Sequence, residues 1–115
     1  MNKRQATQIP DNTGVGYCRY SSHNQREESL EAQERAIREY AARKGINIVE
    51  FYRDAAKSGT SAEREEFLRM VKDSEEGQFR YVVVHKLDRF SRDKYDSVTF
   101  KRKLRMNGVS VLSVT

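Results

Sequence analysis

Four consecutive apolar residues, Tyr81-Val82-Val83-Val84, stand between a polar stretch closed by Gly77 and a basic loop that begins at Lys86. The run is too short for a buried helix and has no polar residue to turn toward water. It therefore reads as a strand covered on both faces, as in the centre of a parallel sheet. A chain with such a strand must supply helices for both faces, and the flanking segments do so. Gly14 to Tyr20 and Ile46 to Tyr52 read as strands, and Val109, Val111, Leu112 and Val114 mark a fourth. Between them lie three helical patterns. The first is capped by Ser29, has Glu31 in its first turn, repeats Leu30, Ile37, Tyr40 and Ala41, and stops at Gly45. The second spans Glu63 to Glu76, is buried through Phe67, Met70 and Val71, and is closed by Gly77. The third, capped by Asp93, runs to about Asn107, is anchored by Val98 and Leu104, and is stopped by Gly108.

The order β-α-β-α-β-α-β, with crossovers long enough to be right-handed, predicts an α/β fold of three layers, α/β/α. Its sheet is doubly wound and mainly parallel, with strand order 2-1-3-4. A site in such a sheet lies beyond the carboxyl ends of the strands. Those ends carry Arg19 and Ser21 on the first strand, Asp54, Ser58 and Arg64 after the second, and Lys86, Asp88, Arg89 and Arg92 after the third. The chemistry-bearing residues thus fall on one edge of the sheet. Ser21 to Glu28 and Arg53 to Ala62 read as the loops that rim it.

With 115 residues the chain is one domain, residues 14–115, preceded by a flexible leader over residues 1–13. No apolar run approaches the roughly 20 residues of a membrane span, and the leader lacks the apolar core of a signal peptide. The single cysteine, Cys18, sits in an apolar strand and reads as a packed thiol. These features fit a cytoplasmic protein with no membrane partner. The net charge is +5. From Lys86 to Arg105, Lys86, Arg89, Arg92, Lys94, Lys101, Arg102, Lys103 and Arg105 face only Asp88, Asp93 and Asp96, so this stretch holds the whole excess. A basic stripe so confined fits either a solvated helix face or the footprint of a polyanion, with nucleic acid the foremost candidate.

In an extended backbone Tyr17, Arg19 and Ser21 share one face, and Cys18, Tyr20 and Ser22 share the other. A guanidinium beside a hydroxyl suits attack on a phosphodiester, whose oxygens need a fixed positive charge. Ser22 is the rival nucleophile but faces away from Arg19. His23 and His85 have no triad context, and no Gly-x-Ser-x-Gly elbow is present, so a serine hydrolase is disfavoured.

Four motifs in order resemble those of the serine site-specific recombinases, the family of resolvases, invertases and large serine integrases. Tyr17-Cys18-Arg19-Tyr20-Ser21 resembles the family's Tyr-x-Arg-x-Ser, and Ser29-Leu30 with Gln33 its Ser-Leu-x-x-Gln. Asp54, Ser58-Gly59 and Arg64 resemble its Asp, Ser-Gly, Arg loop. Lys86-Leu87-Asp88-Arg89-Phe90-Ser91-Arg92-Asp93 resembles its Lys-Leu-Asp-Arg-x-x-Arg-Asp signature.

The resemblance implies that Ser21 attacks a DNA phosphodiester, leaving a 5′-phosphoserine and a free 3′ hydroxyl, and that strands are exchanged and rejoined without metal or nucleotide cofactor. It gives Arg19, Arg64, Arg89 and Arg92 to the scissile phosphate. Asp88 would orient an arginine or assist proton transfer, with a plain ion pair to Arg89 as the alternative. Gln33, Lys86, Asp54, Ser58 and Tyr17 would support the site. The implied partner is double-stranded DNA at specific recombination sites, bound by a homodimer or tetramer of the full-length protein. The implied setting is a bacterial or phage-encoded protein, associated with the nucleoid.

The family's long dimerisation helix and separate DNA-binding domain are not among these residues. The segment is therefore expected to be a fragment that folds but does not recombine DNA alone. The long Ser22 to Glu28 loop points to a large integrase or a transposon-type relative. Two further readings stand beside this one: a catalytically inactive resolvase-like module that assembles on DNA, and a module in which Asp54 and Asp88 hold Mg²⁺.

Overall fold

The computed structural model describes residues 10–21, 29–56, 64–86 and 94–115. Four strands form one parallel sheet: β1 (Thr13–Ser21), β2 (Asn47–Ala56), β3 (Tyr81–Val84) and β4 (Ser110–Ser113), in the order β2-β1-β3-β4. The expected α/β fold and its 2-1-3-4 order are both present. Val82, Val83 and Val84 are wholly buried, which is what a run of β-branched residues in a doubly covered strand requires.

Helix α1 (Leu30–Lys44) covers one face, and α2 (Glu65–Asp73) and α3 (Lys94–Met106) pack on the other. The strands divide their side chains by alternation. Tyr17, Tyr52, Val82 and Val84 join the core beneath α2 and α3, while Cys18, Phe51 and Val83 join Ile37 beneath α1. The ends of α1 follow its sequence signals. Ser29 Oγ accepts from the Ala32 amide at 3.1 Å, and Gly45 takes the left-handed conformation, φ 73°, with its N–H turned back to the carbonyls of Ala41 and Ala42.

Four expectations change. β1 extends through Ser21, and β2 runs from Asn47 through Ala56, so Arg53 to Ala56 belong to a strand rather than a loop. The cause is pairing: β1 and β2 stay in register to Ser21↔Ala56, and partner hydrogen bonds outweigh the loop-like composition of Arg53-Asp54. The second helix begins at Glu65 and passes into a 3-10 turn, Ser74–Glu76, before Gly77.

On α3, Val98 is 55% exposed and anchors nothing in the core. Phe100 packs there instead, one helical turn before the buried Leu104; positions four apart share a face, whereas six apart do not. Among the described residues no helix is long and apolar enough to cross a membrane.

Candidate active site

The carboxyl edge of the sheet gathers its polar groups on the α2 and α3 side. Tyr17 is fully buried, and its hydroxyl donates to Asp54 Oδ2 at 2.8 Å. Asp54, at the far end of β2, also accepts from the Glu66 amide (2.9 Å, Oδ1) and the Phe67 amide (3.0 Å, Oδ2). Those amides belong to the first turn of α2, whose N–H groups have no partner within the helix. Arg64 occupies the N-cap position and makes no side-chain cap bond. Asp54 therefore does from a neighbouring strand what a capping residue does locally, and its negative charge meets the positive end of the helix dipole.

That clamp fixes where Arg64 leaves the helix. Arg64 is itself buried, with its guanidinium 4.2 Å from the centre of the Phe67 ring. Tyr17 packs edge-on against the same ring at 5.3 Å. Burial first, then the Asp54 carboxylate and its hydrogen bond, push the Tyr17 hydroxyl well above the ordinary phenol range, against the opposing pull of Arg19 and Arg64. The shift favours the neutral phenol that donates to Asp54.

Arg19 is held by its main chain. The last β1–β3 pair is Tyr17↔Val84, so the third strand has ended where Arg19 needs a partner. Gln33 of α1, completely buried, supplies one: its Nε2 donates to the Arg19 carbonyl at 2.9 Å, and its Oε1 accepts from the Arg19 amide at 3.3 Å. Nη1 of Arg19 is buried with no hydrogen-bond partner among the described residues. Ser21 closes β1 two residues further on.

Of the residues expected at the site, Tyr17, Arg19, Gln33, Asp54 and Arg64 share this edge, and Ser21 ends the strand that carries the first two. Lys86 lies exposed just beyond β3. Ser58, Asp88, Arg89 and Arg92 lie outside the described residues. Sequence reasoning did not single out Phe67 as a companion of Arg64, although the three-residue spacing that brings them together is a helical one. Cys18 points to the opposite face, where burial above all, and then Glu34, push its thiol up to about 12; the packed-thiol reading agrees.

Known proteins share this fold over most of the chain. The family model for the resolvase N-terminal domain matches residues 14–115. Among solved structures, a resolvase family site-specific recombinase from Streptococcus pneumoniae is 34% identical and superposes with a TM-score of 0.77, over 89% of this chain and 71% of that one. The N-terminal catalytic domain of TP901-1 integrase is 30% identical, TM-score 0.75, over 89% of this chain and 76% of that one. The C-terminal catalytic domain of ISC1926 TnpA, an IS607-like serine recombinase, is 30% identical, also at TM-score 0.75, over 90% and 67%. No curated protein matches.

Proposed function

Since the chain belongs to the resolvase family and has the fold of a serine recombinase catalytic domain, we propose that it cuts and rejoins DNA with Ser21 as nucleophile. The Ser21 hydroxyl loses its proton as Oγ bonds to the scissile phosphorus. The bond from phosphorus to the 3′ oxygen breaks, and that oxygen takes up a proton. The products are a 5′-phosphoserine and a 3′ hydroxyl, and the same steps in reverse, with an exchanged 3′ end, rejoin the strands. One phosphoester replaces another, so no nucleotide is consumed.

The observation that carries this reading is Nη1 of the half-buried Arg19, itself buried and without a hydrogen-bond partner among the described residues, two positions before Ser21. A buried guanidinium nitrogen is costly to leave without an acceptor, and a phosphate drawn to Arg19 would arrive beside the serine. Arg64 approaches from α2, and the Asp54 oxygens beside it are bonded to Tyr17 and two helix amides. Arg89 and Arg92 complete a set of positive charges that stabilises the crowded phosphorane without a metal ion. Asp88 orients one of them or moves a proton. Gln33, Tyr17, Asp54, Ser58 and Lys86 hold the frame.

The catalytic domain begins with Thr13, the first residue of β1, and runs to Thr115, with the residues before it a leader. The full-length protein works in the cytoplasm on double-stranded DNA at specific sites, as a dimer that pairs into a tetramer. The test is strand exchange by the full-length protein between two of its own sites, with chelator throughout. Exchange should persist in wild type, vanish with Ser21→Ala, and fall about 10²–10³-fold with Arg19→Ala. Exchange by Ser21→Ala, or loss of wild-type exchange on chelation, would overturn the proposal.

A further inference from the structure

We propose that Phe100, on α3, is a positioning residue for Arg64: its ring forms the second wall of an aromatic slot that holds the guanidinium at the carboxyl edge of the sheet. The proposal rests on the reading of Arg64 as a ligand of the scissile phosphate. Arg64 lies 4.2 Å from the Phe67 ring centre and 5.6 Å from that of Phe100, and the two rings meet edge to face at 5.0 Å and 85°. Both distances are within the range in which a cation is attracted to a ring face, and the attraction grows where water is excluded, as at this residue, which is 9% exposed.

The two rings contribute differently. Phe67 stands in the first turn of α2, three residues after Arg64 at its N-cap, so its contact moves with that helix. Phe100 comes from a different helix and is anchored independently, one turn from the fully buried Leu104. The Asp54 clamp fixes the main chain at the start of α2 but leaves a long side chain to be placed. Phe100 restricts it from outside α2, so the placement of the guanidinium depends on how α3 docks. An arginine confined before substrate arrives loses less side-chain freedom when phosphate binds.

The experiment compares Phe100→Leu and Phe100→Tyr, alone and with Arg64→Ala, in the full-length protein. Two quantities are read: the single-turnover rate of covalent protein–DNA adduct formation at saturating DNA, and the NMR shift of the Arg64 side-chain N–H, which senses ring currents. Phe100→Leu keeps an apolar side chain of similar reach but removes the ring. It should slow adduct formation roughly three- to tenfold at unchanged DNA affinity, and move the Arg64 signal. Phe100→Tyr should restore both, and with Arg64→Ala the leucine variant should add no further loss.

A full additional loss with Arg64→Ala would show that the ring acts through general packing and would overturn the proposal while leaving the role of Arg64 intact. An unchanged rate and signal in Phe100→Leu would overturn it equally. An unchanged rate in Arg64→Ala alone would remove the phosphate-ligand reading and this proposal with it.

Discussion

The two faces of the sheet are built from the same strands yet differ in what they bury. Beneath α1 the buried set is Cys18, Ile37, Phe51 and Val83, and the charged pair that borders it, Arg53 with Glu34, is exposed on its arginine side. Beneath α2 and α3 a larger apolar core, from Val15 to Val109, ends at the carboxyl edge in Tyr17, Asp54 and Arg64. Alternation along β1 and β2 makes this division possible, because neighbouring residues serve opposite faces. Burial of charge is tolerated on the second face where the partners are complete: Asp54 receives three donors from two different elements. One face supplies cohesion, and the other spends part of its cohesion on holding charges.

Removing the Asp54 carboxylate should break this contrast most severely. Asp54→Ala leaves the Tyr17 hydroxyl and the amides of Glu66 and Phe67 without their acceptor in a buried setting. The expected loss is about 3 kcal/mol or more, which lowers Tm by roughly 10 °C or more. Thermal unfolding followed by circular dichroism measures it, and a loss below about 1 kcal/mol would mean that the clamp is not a structural element.

Gly16→Ala probes the α1 side. A Cβ at Gly16 would stand 2.4 Å from Cε1 and 2.5 Å from Cδ1 of Phe51, so the ring must move. Overpacking of this kind costs about 1–3 kcal/mol. The variant should lose stability in denaturant titrations while forming covalent DNA adduct at the wild-type rate per folded molecule. A large fall in that rate would show that the two faces are not separable.

The smallest effect at neutral pH is that of the Cys18 thiol. Burial raises it from an ordinary value of 9.0 to about 12, so the folded protein retains a proton that the unfolded chain releases. Its contribution is complete below pH about 9 and is lost as pH rises toward about 12. Tyr17 and Tyr52, pushed upward chiefly by burial, act in the same direction. Tm should therefore fall between pH 8 and pH 11, and more gently in Cys18→Ala, where only the tyrosines contribute. Parallel curves would contradict this assignment.

Much of the frame was legible because it rests on local signals. Gly45, Gly77 and Gly108 stop helices or turns with φ of 73°, 71° and 81°, and Ser29 caps as its position implies. The valine run marked a strand buried on both sides. The end of β2 was hidden because Arg53 and Asp54 look like loop residues, and only pairing with β1 draws them into the sheet.

The Asp54 clamp spans 12 and 13 residues to its two amides and leaves no periodic trace. Its one local sign is negative: Arg64 is a poor capping residue at the start of a helix, so the cap has to come from elsewhere. The candidate site residues follow motifs, and the structure places Arg19 and Ser21 two apart on one strand. The support that Gln33 gives Arg19 depends on where β3 stops, which composition does not disclose.

The most direct test of the central claim, that β1 ends in the nucleophile, is mass spectrometry of the denaturant-quenched complex of full-length protein and its own DNA site, formed with chelator present. The account predicts a peptide carrying nucleotide on Ser21, absent in Ser21→Ala. Nucleotide on Ser22 or another residue, or DNA that is cleaved with no protein adduct at all, would contradict it.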